Sequence, residues 1–336
     1  MNRAATIASV VAMSVFPGVA RGAPPSSQEA VGRLNVTIRE WDLPTSGSFP
    51  HDPAVGADGS LWYTAQKVNR LGKLDPLTGT IREYPLPTAD SGPHGLTADR
   101  DGNIWYTGSH AGLIGKLDVK TGQVTEYRMP DRSARDPHSL AFDHDGVLWF
   151  TVQGGNRVGR LDPSTGRIEL REVPTRDAVP YGIAISSRGI PFFCEFGTNK
   201  LARIDPRTLQ IREYTLPSGA RPRRLAIAAD DGVYYSDFAR GFLARLDPAT
   251  GDVQEWASPG GAASKPYGIA IAADGMVWYS ESGVEPNTIV RFDPREHAFA
   301  RAAIPSGGGV IRNMAATRDG RIYIAGSGVN KVGVVE

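Results

Sequence analysis

From residue 36 onward the chain repeats one order of apolar and polar positions. A short apolar stretch follows an opening triplet, as in Ser139-Leu140-Ala141-Phe142. An Asp-Gly pair comes next, at Asp58-Gly59, Asp101-Gly102, Asp145-Gly146, Asp231-Gly232, Asp274-Gly275 and Asp319-Gly320. Asp-Gly tolerates the positive φ angles of tight hairpin turns. Aromatic stretches follow: Trp62-Tyr63, Trp105-Tyr106, Trp149-Phe150, Phe192-Phe193, Tyr234-Tyr235, Trp278-Tyr279 and Tyr323-Ile324. A third stretch alternates apolar residues, as in Arg157-Val158-Gly159-Arg160-Leu161. The turn Asp162-Pro163-Ser164-Thr165-Gly166 leads to a fourth of the type Ile81-Arg82-Glu83-Tyr84-Pro85. Period-2 alternation in short runs bounded by turn residues predicts strands, four per repeat.

Six copies open on Pro50, Pro93, Pro137, Pro180, Pro222 and Pro266, at spacings of 43, 44, 43, 42 and 44 residues, and a degenerate seventh starts near Ile311-Arg312-Asn313. The expectation is an all-β, seven-bladed β-propeller with four-stranded antiparallel blades. Ile38-Arg39-Glu40-Trp41-Asp42-Leu43-Pro44 has the fourth-strand pattern with no first three strands before it, and the last copy lacks a fourth strand. Residues 36–44 are therefore expected to complete the seventh blade and close the ring. Pro191 removes a ladder donor from a strand, so a local distortion is expected in blade four.

Composition fits this reading. The 39 glycines and 25 prolines make up about a fifth of the chain, against an average near 12%. With 37 basic and 36 acidic residues there is no basic field for a phosphate backbone, so nucleic acid is not an expected partner. Arg3 followed by the apolar run Ala4–Ala20 reads as a signal peptide over residues 1–20, with a flexible leader over 21–35 and a single propeller domain over 36–336. An exported protein, periplasmic or secreted, is expected, monomeric and without a membrane span. Its one cysteine, Cys194, excludes an internal disulfide and reads as a buried, inert thiol.

Blade order converts sequence position into place. The opening triplets converge on one mouth of the central channel and bring His51, His94, His138, Tyr181, Arg223, Tyr267 and Arg312 to equivalent positions. The ends of the second strands add Gln66, His110, Gln153, Glu195, Asp237 and Glu281. The opposite face carries turn formers, with His144 and His297 as solvated turn residues. A changing set of imidazoles, arginines, tyrosines and carboxylates describes a binding site, although a polar residue here can also bond the neighbouring blade. No Gly-x-Ser-x-Gly elbow, phosphate loop or Cys-x-x-Cys pair is present.

Stretches such as Pro93-His94-Gly95-Leu96, Asp101-Gly102-Asn103-Ile104-Trp105-Tyr106-Thr107, Ile114-Gly115-Lys116-Leu117-Asp118 and Thr125-Glu126-Tyr127 resemble the blades of the streptogramin B lyase (virginiamycin B lyase) family. The resemblance spans residues 36–336. It implies a carbon–oxygen lyase that opens a cyclic ester without water, with a histidine base and Mg²⁺ polarising the substrate. The family's Pro-His element corresponds to Pro93-His94, and its Glu-Pro-His to Asp136-Pro137-His138, with Asp in place of Glu. Its following Glu falls at Val152-Gln153, without a carboxylate, and the family carries these elements in its last two blades, here occupied by Pro266-Tyr267 and Arg312-Asn313.

The resemblance makes His138 the general base, with His94 sharing the proton work or bonding the substrate. Asp136 and Glu195 are the expected ligands of Mg²⁺ or another divalent metal. His51, Tyr181, Arg223, Arg224, Tyr267, Glu281 and Arg312 are expected to bind a small-molecule substrate, one that is not an antibiotic. Two other readings stay open: a non-catalytic propeller that binds a ligand or protein, and a metal-dependent hydrolase or lactonase built on Glu195, Asp237, Glu281 and Asn313.

Overall fold

The computed structural model describes Met1 and residues 31–336; the expected signal peptide and the leader up to residue 30 otherwise lie outside the described residues. The described residues form seven antiparallel sheets arranged as blades. Blade one runs outward from Pro50–Val55 through Leu61–Ala65 and Arg70–Leu74 to Ile81–Pro85. The next five blades repeat that order, opening on Pro93–Ala98, Pro137–Phe142, Pro180–Ile185, Pro222–Ile227 and Pro266–Ile271. Blade seven contains Ile311–Ala316, Ile322–Gly326 and Lys331–Val335, and Ile38–Asp42 supplies its outer strand by pairing with Lys331–Val335. Among the described residues, no helix is long and apolar enough to cross a membrane.

Each second strand is buried over its whole length, because neighbouring blades cover both of its faces. Its aromatic pair divides between them. Trp62 packs with Leu96, Ile104 and Tyr106 of blade two, whereas Tyr63 packs with Tyr323, Val332 and Val334 of blade seven. The outer strands alternate half-buried and exposed residues, as sheet edges facing water must. In the third strands glycine has a packing reason. A Cβ on Gly72 would lie 1.9 Å from the Tyr63 ring, so the ring can cross the strand only where the side chain is missing.

Two local features refine the sequence reading. Pro191 opens its strand, and the pairing of that strand with Lys200–Ile204 begins only at Phe192, one rung fewer than at the equivalent place in blade three. The end of the expected leader is ordered: Gly32–Arg33 adds a parallel fifth strand to blade six, against Ala300 and Arg301, and Leu34 is buried.

Candidate functional site

Three devices aim the opening residues into the channel. The residue before each opening position in six blades (Phe49, Gly92, Asp136, Val179, Lys265 and Val310) has φ between 48° and 73°, a left-handed turn that swings the chain inward. A bulge follows: Pro137 pairs with Val152, and the next pair is Leu140 with Phe150, so His138 and Ser139 together oppose Thr151. In blades one, two and three a hydroxyl then straps the bulge to the next blade. Thr64, Thr107 and Thr151 donate from Oγ1 to the carbonyls of His94, His138 and Tyr181, at 2.9, 2.8 and 2.6 Å.

These straps hold four rings in an arc. The centroids of His51 and His94 are 3.7 Å apart, those of His94 and His138 3.9 Å, and those of His138 and Tyr181 3.8 Å, with tilts of 43–47°. Arg223 and Arg312 stand at the same mouth. The guanidinium carbon of Arg223 lies 3.8 Å from the Tyr267 ring centroid, 4.3 Å from Phe238 and 4.7 Å from Phe196. That of Arg312 lies 5.1 Å from Phe49. The four rings, Phe49, Phe196, Arg223 and Arg312, with residues of the segment Arg128–Asp136 between blades two and three, line a cavity of about 980 Å³.

Beneath the arc a buried network spans the channel. Asp52 of blade one takes two hydrogen bonds from Arg224 of blade five, at 2.8 and 3.1 Å, and one of 3.0 Å from Asn313 of blade seven. Arg224 also donates to Ser139 of blade three at 2.9 Å. The Asp52 carboxylate accepts from His51 Nδ1 at 2.8 Å. A carboxylate only accepts, so Nδ1 carries the hydrogen and Nε2 of His51 holds the lone pair.

Burial sets the charge state of the arc. Desolvation and, after it, the Arg224, Arg312 and Arg223 guanidinium groups hold His51 well below the usual imidazole range. His138 is lowered by burial, then by His94 and Arg224; His94 is lowered by burial, then by His51. All three imidazoles are therefore neutral near pH 7. Burial pushes the carboxyl of Asp136 upward.

The structure divides the expected site residues. His51, His94, His138, Asp136, Tyr181, Arg223 and Arg312 line the cavity, as do Gln66, His110 and Gln153. Arg224 lies beneath it in the network, and Tyr267 is fully buried under Arg223, its hydroxyl bonded to that of Tyr181. Glu281 turns away from the cavity, accepting from Ser258 and the Gly260 amide of the preceding inter-blade loop and from Thr288 of its own blade. Asp237 likewise takes the Arg221 amide and Arg240. Glu195 does not line the cavity; its Oε1 is buried without a partner and its Oε2 has only Thr198, at 3.3 Å. Of the carboxylates expected for a hydrolase cage, Asp237 and Glu281 are engaged separately, and none of the three lines the cavity. Sequence reading missed Asp52, the Arg128–Asp136 wall and the Phe196–Phe238 cage. Asp52 follows a mouth histidine directly, and that was the one available signal.

Burial, then repulsion from Glu213, raises Glu195 from 4.5 to about 8. Because the fold holds this proton more tightly than the unfolded chain, the associated stability is present below about pH 4.5 and lost as pH rises through about 8. Thermal denaturation should show wild-type protein losing stability between pH 5 and 8.5, with a flatter profile in Glu195→Gln.

Among the described residues, one group has metal-ligand spacing: His51, Asp52 and His94 each bring a donor atom within 4.8 Å of the others. Neither Asp136 nor Glu195 belongs to it. The spacing can accommodate an ion, but its chemistry does not match Mg²⁺, which takes about six oxygens in octahedral geometry. Two donors are imidazoles, better suited to zinc-like ions, and Arg224, Asn313 and His51 already engage the carboxylate.

A seven-bladed ring carries neutral imidazoles and arginines around one channel mouth, above a cavity of the size of small-molecule sites. The virginiamycin B lyase family profile matches residues 25–204, 144–262 and 168–336, and the chain belongs to that family. A streptogramin B lyase structure superposes with a TM-score of 0.83 at 26% identity, covering 91% of this chain and 99% of that one. A catalytically inactive histidine-to-alanine variant of Staphylococcus aureus virginiamycin B lyase, solved with quinupristin, superposes at 0.81 with 26% identity over 90% and 99%. Kuenenia stuttgartiensis hydrazine synthase, at 16% identity and 0.71 over 87% and 96%, shares the fold. No curated protein matches the sequence.

Proposed function

We propose that this chain is an exported carbon–oxygen lyase that opens a small cyclic ester, or a related molecule, by elimination at the channel mouth. A neutral imidazole removes a proton from the carbon next to a carbonyl. The electron pair forms a carbon–carbon double bond, and the ester oxygen leaves from the adjacent carbon as a carboxylate. One observation carries the reading: three neutral imidazoles, buried yet lining the cavity, stand beside guanidinium groups that can meet the developing negative charge. The inactive histidine variant of the S. aureus relative supports the same class of chemistry.

His138 is assigned as the base from the Asp136-Pro137-His138 match, with His94 against the substrate. Burial keeps His138 in its base form, and Ser139 Oγ lies 3.0 Å from its Nδ1. Arg223 and Arg312 take the charge-stabilising part for which the family uses Mg²⁺, so activity is expected to survive chelation with EDTA.

Mass spectrometry of cyclic esters incubated with the protein tests the reaction type, because elimination leaves the mass unchanged and hydrolysis adds one water. His138→Ala is expected to lower turnover by about 10²–10⁴-fold. A comparable loss in His51→Ala with little change in His138→Ala would move the base to His51. No product from any ester, with ligands still binding, would leave a non-catalytic binding propeller.

A further inference from the structure

We propose that the ligand of this mouth carries a carboxylate, recognised by Arg223 and Arg312. The inference rests on the mouth being the functional site and adds the chemical class of what enters it. The chain as a whole is almost neutral, with 37 basic and 36 acidic residues. Yet Arg128, Arg132, Arg135, Arg223 and Arg312 line the same cavity, and none is ion-paired among the described residues. Of the two acids in its wall, Asp131 is held by Arg157 and Asp136 is driven toward its neutral form by burial. A concave, low-dielectric mouth concentrates such a field and favours an anion.

The two inner arginines are also prepared for it. Both guanidinium groups lie over the Tyr267 ring, at 3.8 and 5.9 Å from its centroid, and further rings confine them. Stacking fixes the plane of each guanidinium; Arg312 spends its Nε on Ser327 at 3.1 Å and keeps its terminal N–H groups available. Arg223 Nε is buried without any hydrogen-bond partner, and Arg223 makes only a 3.4 Å contact to Tyr181. An unfilled donor on a confined cation is costly in isolation, whereas a planar carboxylate would satisfy it with charge-assisted bonds. Arg224, one residue further on, also has a buried, unpartnered Nε, but its terminal nitrogens are held by Asp52, at 2.8 Å, and by Ser139, partners that Arg223 lacks.

Calorimetry on the full chain tests this with succinate and benzoate as carboxylate probes, inorganic phosphate as a second anion and dimethyl succinate as the neutral control. Saturable binding of at least one carboxylate at one site is expected. It should weaken about tenfold or more in Arg223→Met and in Arg312→Met, the loss of roughly one charge-assisted contact. Arg223→Lys keeps the charge but not the fork and should also weaken binding, and unchanged denaturation profiles would show that the variants fold. Absence of carboxylate binding, equal binding of the diester, phosphate binding alone, or wild-type affinity in the folded variants would each overturn the proposal. His138→Ala separates the two readings, since it should lower elimination by about 10²–10⁴-fold while the two arginines that hold the carboxylate remain. Carboxylate binding without any elimination would sink the lyase reading and uphold this one. Elimination of a neutral ester by a protein indifferent to carboxylates would do the reverse.

Discussion

Replacing Asp52 by alanine is expected to destabilise the propeller by about 3–5 kcal/mol, the cost of stranding a buried charge. Arg224 is almost fully buried, and among the described residues Asp52 is its only carboxylate partner. Its other contacts are neutral, the Ser139 hydroxyl and the Tyr181 ring. Removing Asp52 also frees Asn313 and His51, so ties to blades one, three, five and seven loosen together. The double variant Asp52→Ala/Arg224→Met should recover much of the loss, because the unpaired charge goes with its partner. Urea denaturation of the two singles and the double measures this as a cycle. An Asp52→Ala midpoint close to wild type would show that water or another side chain replaces the carboxylate, and that the network does not brace the ring.

The contrast between ring and network explains how much the sequence disclosed. Blades are local: each Asp-Gly turn and the strands it joins lie within one repeat of 42–44 residues, so repetition exposes them. The bond between Asp52 and Arg224 joins residues 172 apart, across the channel axis, and no periodicity encodes it. The second-strand ends show a subtler limit. Gln66 and His110 lie just past their second strands, whereas Glu195, Asp237 and Glu281 are the last residues of theirs, yet sequence made all of them candidates for the mouth. Neighbours decide otherwise, since Arg240 captures Asp237 and Thr288 captures Glu281. The straps were visible as Thr64, Thr107 and Thr151 but read as ordinary strand residues, because their acceptors belong to the next blade. In blade four Cys194 takes that place, fully buried, and burial pushes its thiol pKa well above the usual range.

Deleting residues 1–43 is expected to abolish the folded ring, whereas deleting residues 1–30 leaves every described strand in place. Ile38–Asp42 pairs along its length with Lys331–Val335, and Thr37 and Glu336 exchange a further pair of backbone bonds. At about 1 kcal/mol net for each hydrogen bond, the ladder alone contributes several kcal/mol. Leu43 and Trp41 pack in the cluster of Tyr63, Val332 and Val334, each worth about 1.5–3 kcal/mol when fully buried. Glu40 also accepts from Ser306 of the preceding inter-blade loop. These losses approach the roughly 5–15 kcal/mol that holds a typical protein together. The deletion would also expose the backbone of Lys331–Val335 as an uncovered edge beside buried valines, the kind of surface that recruits another chain. Size-exclusion chromatography and near-ultraviolet circular dichroism should show aggregated or molten protein after the longer deletion and native protein after the shorter one. A monomeric, cooperatively unfolding product of the longer deletion would mean that six complete blades and an open seventh suffice, and that the closing strand is dispensable.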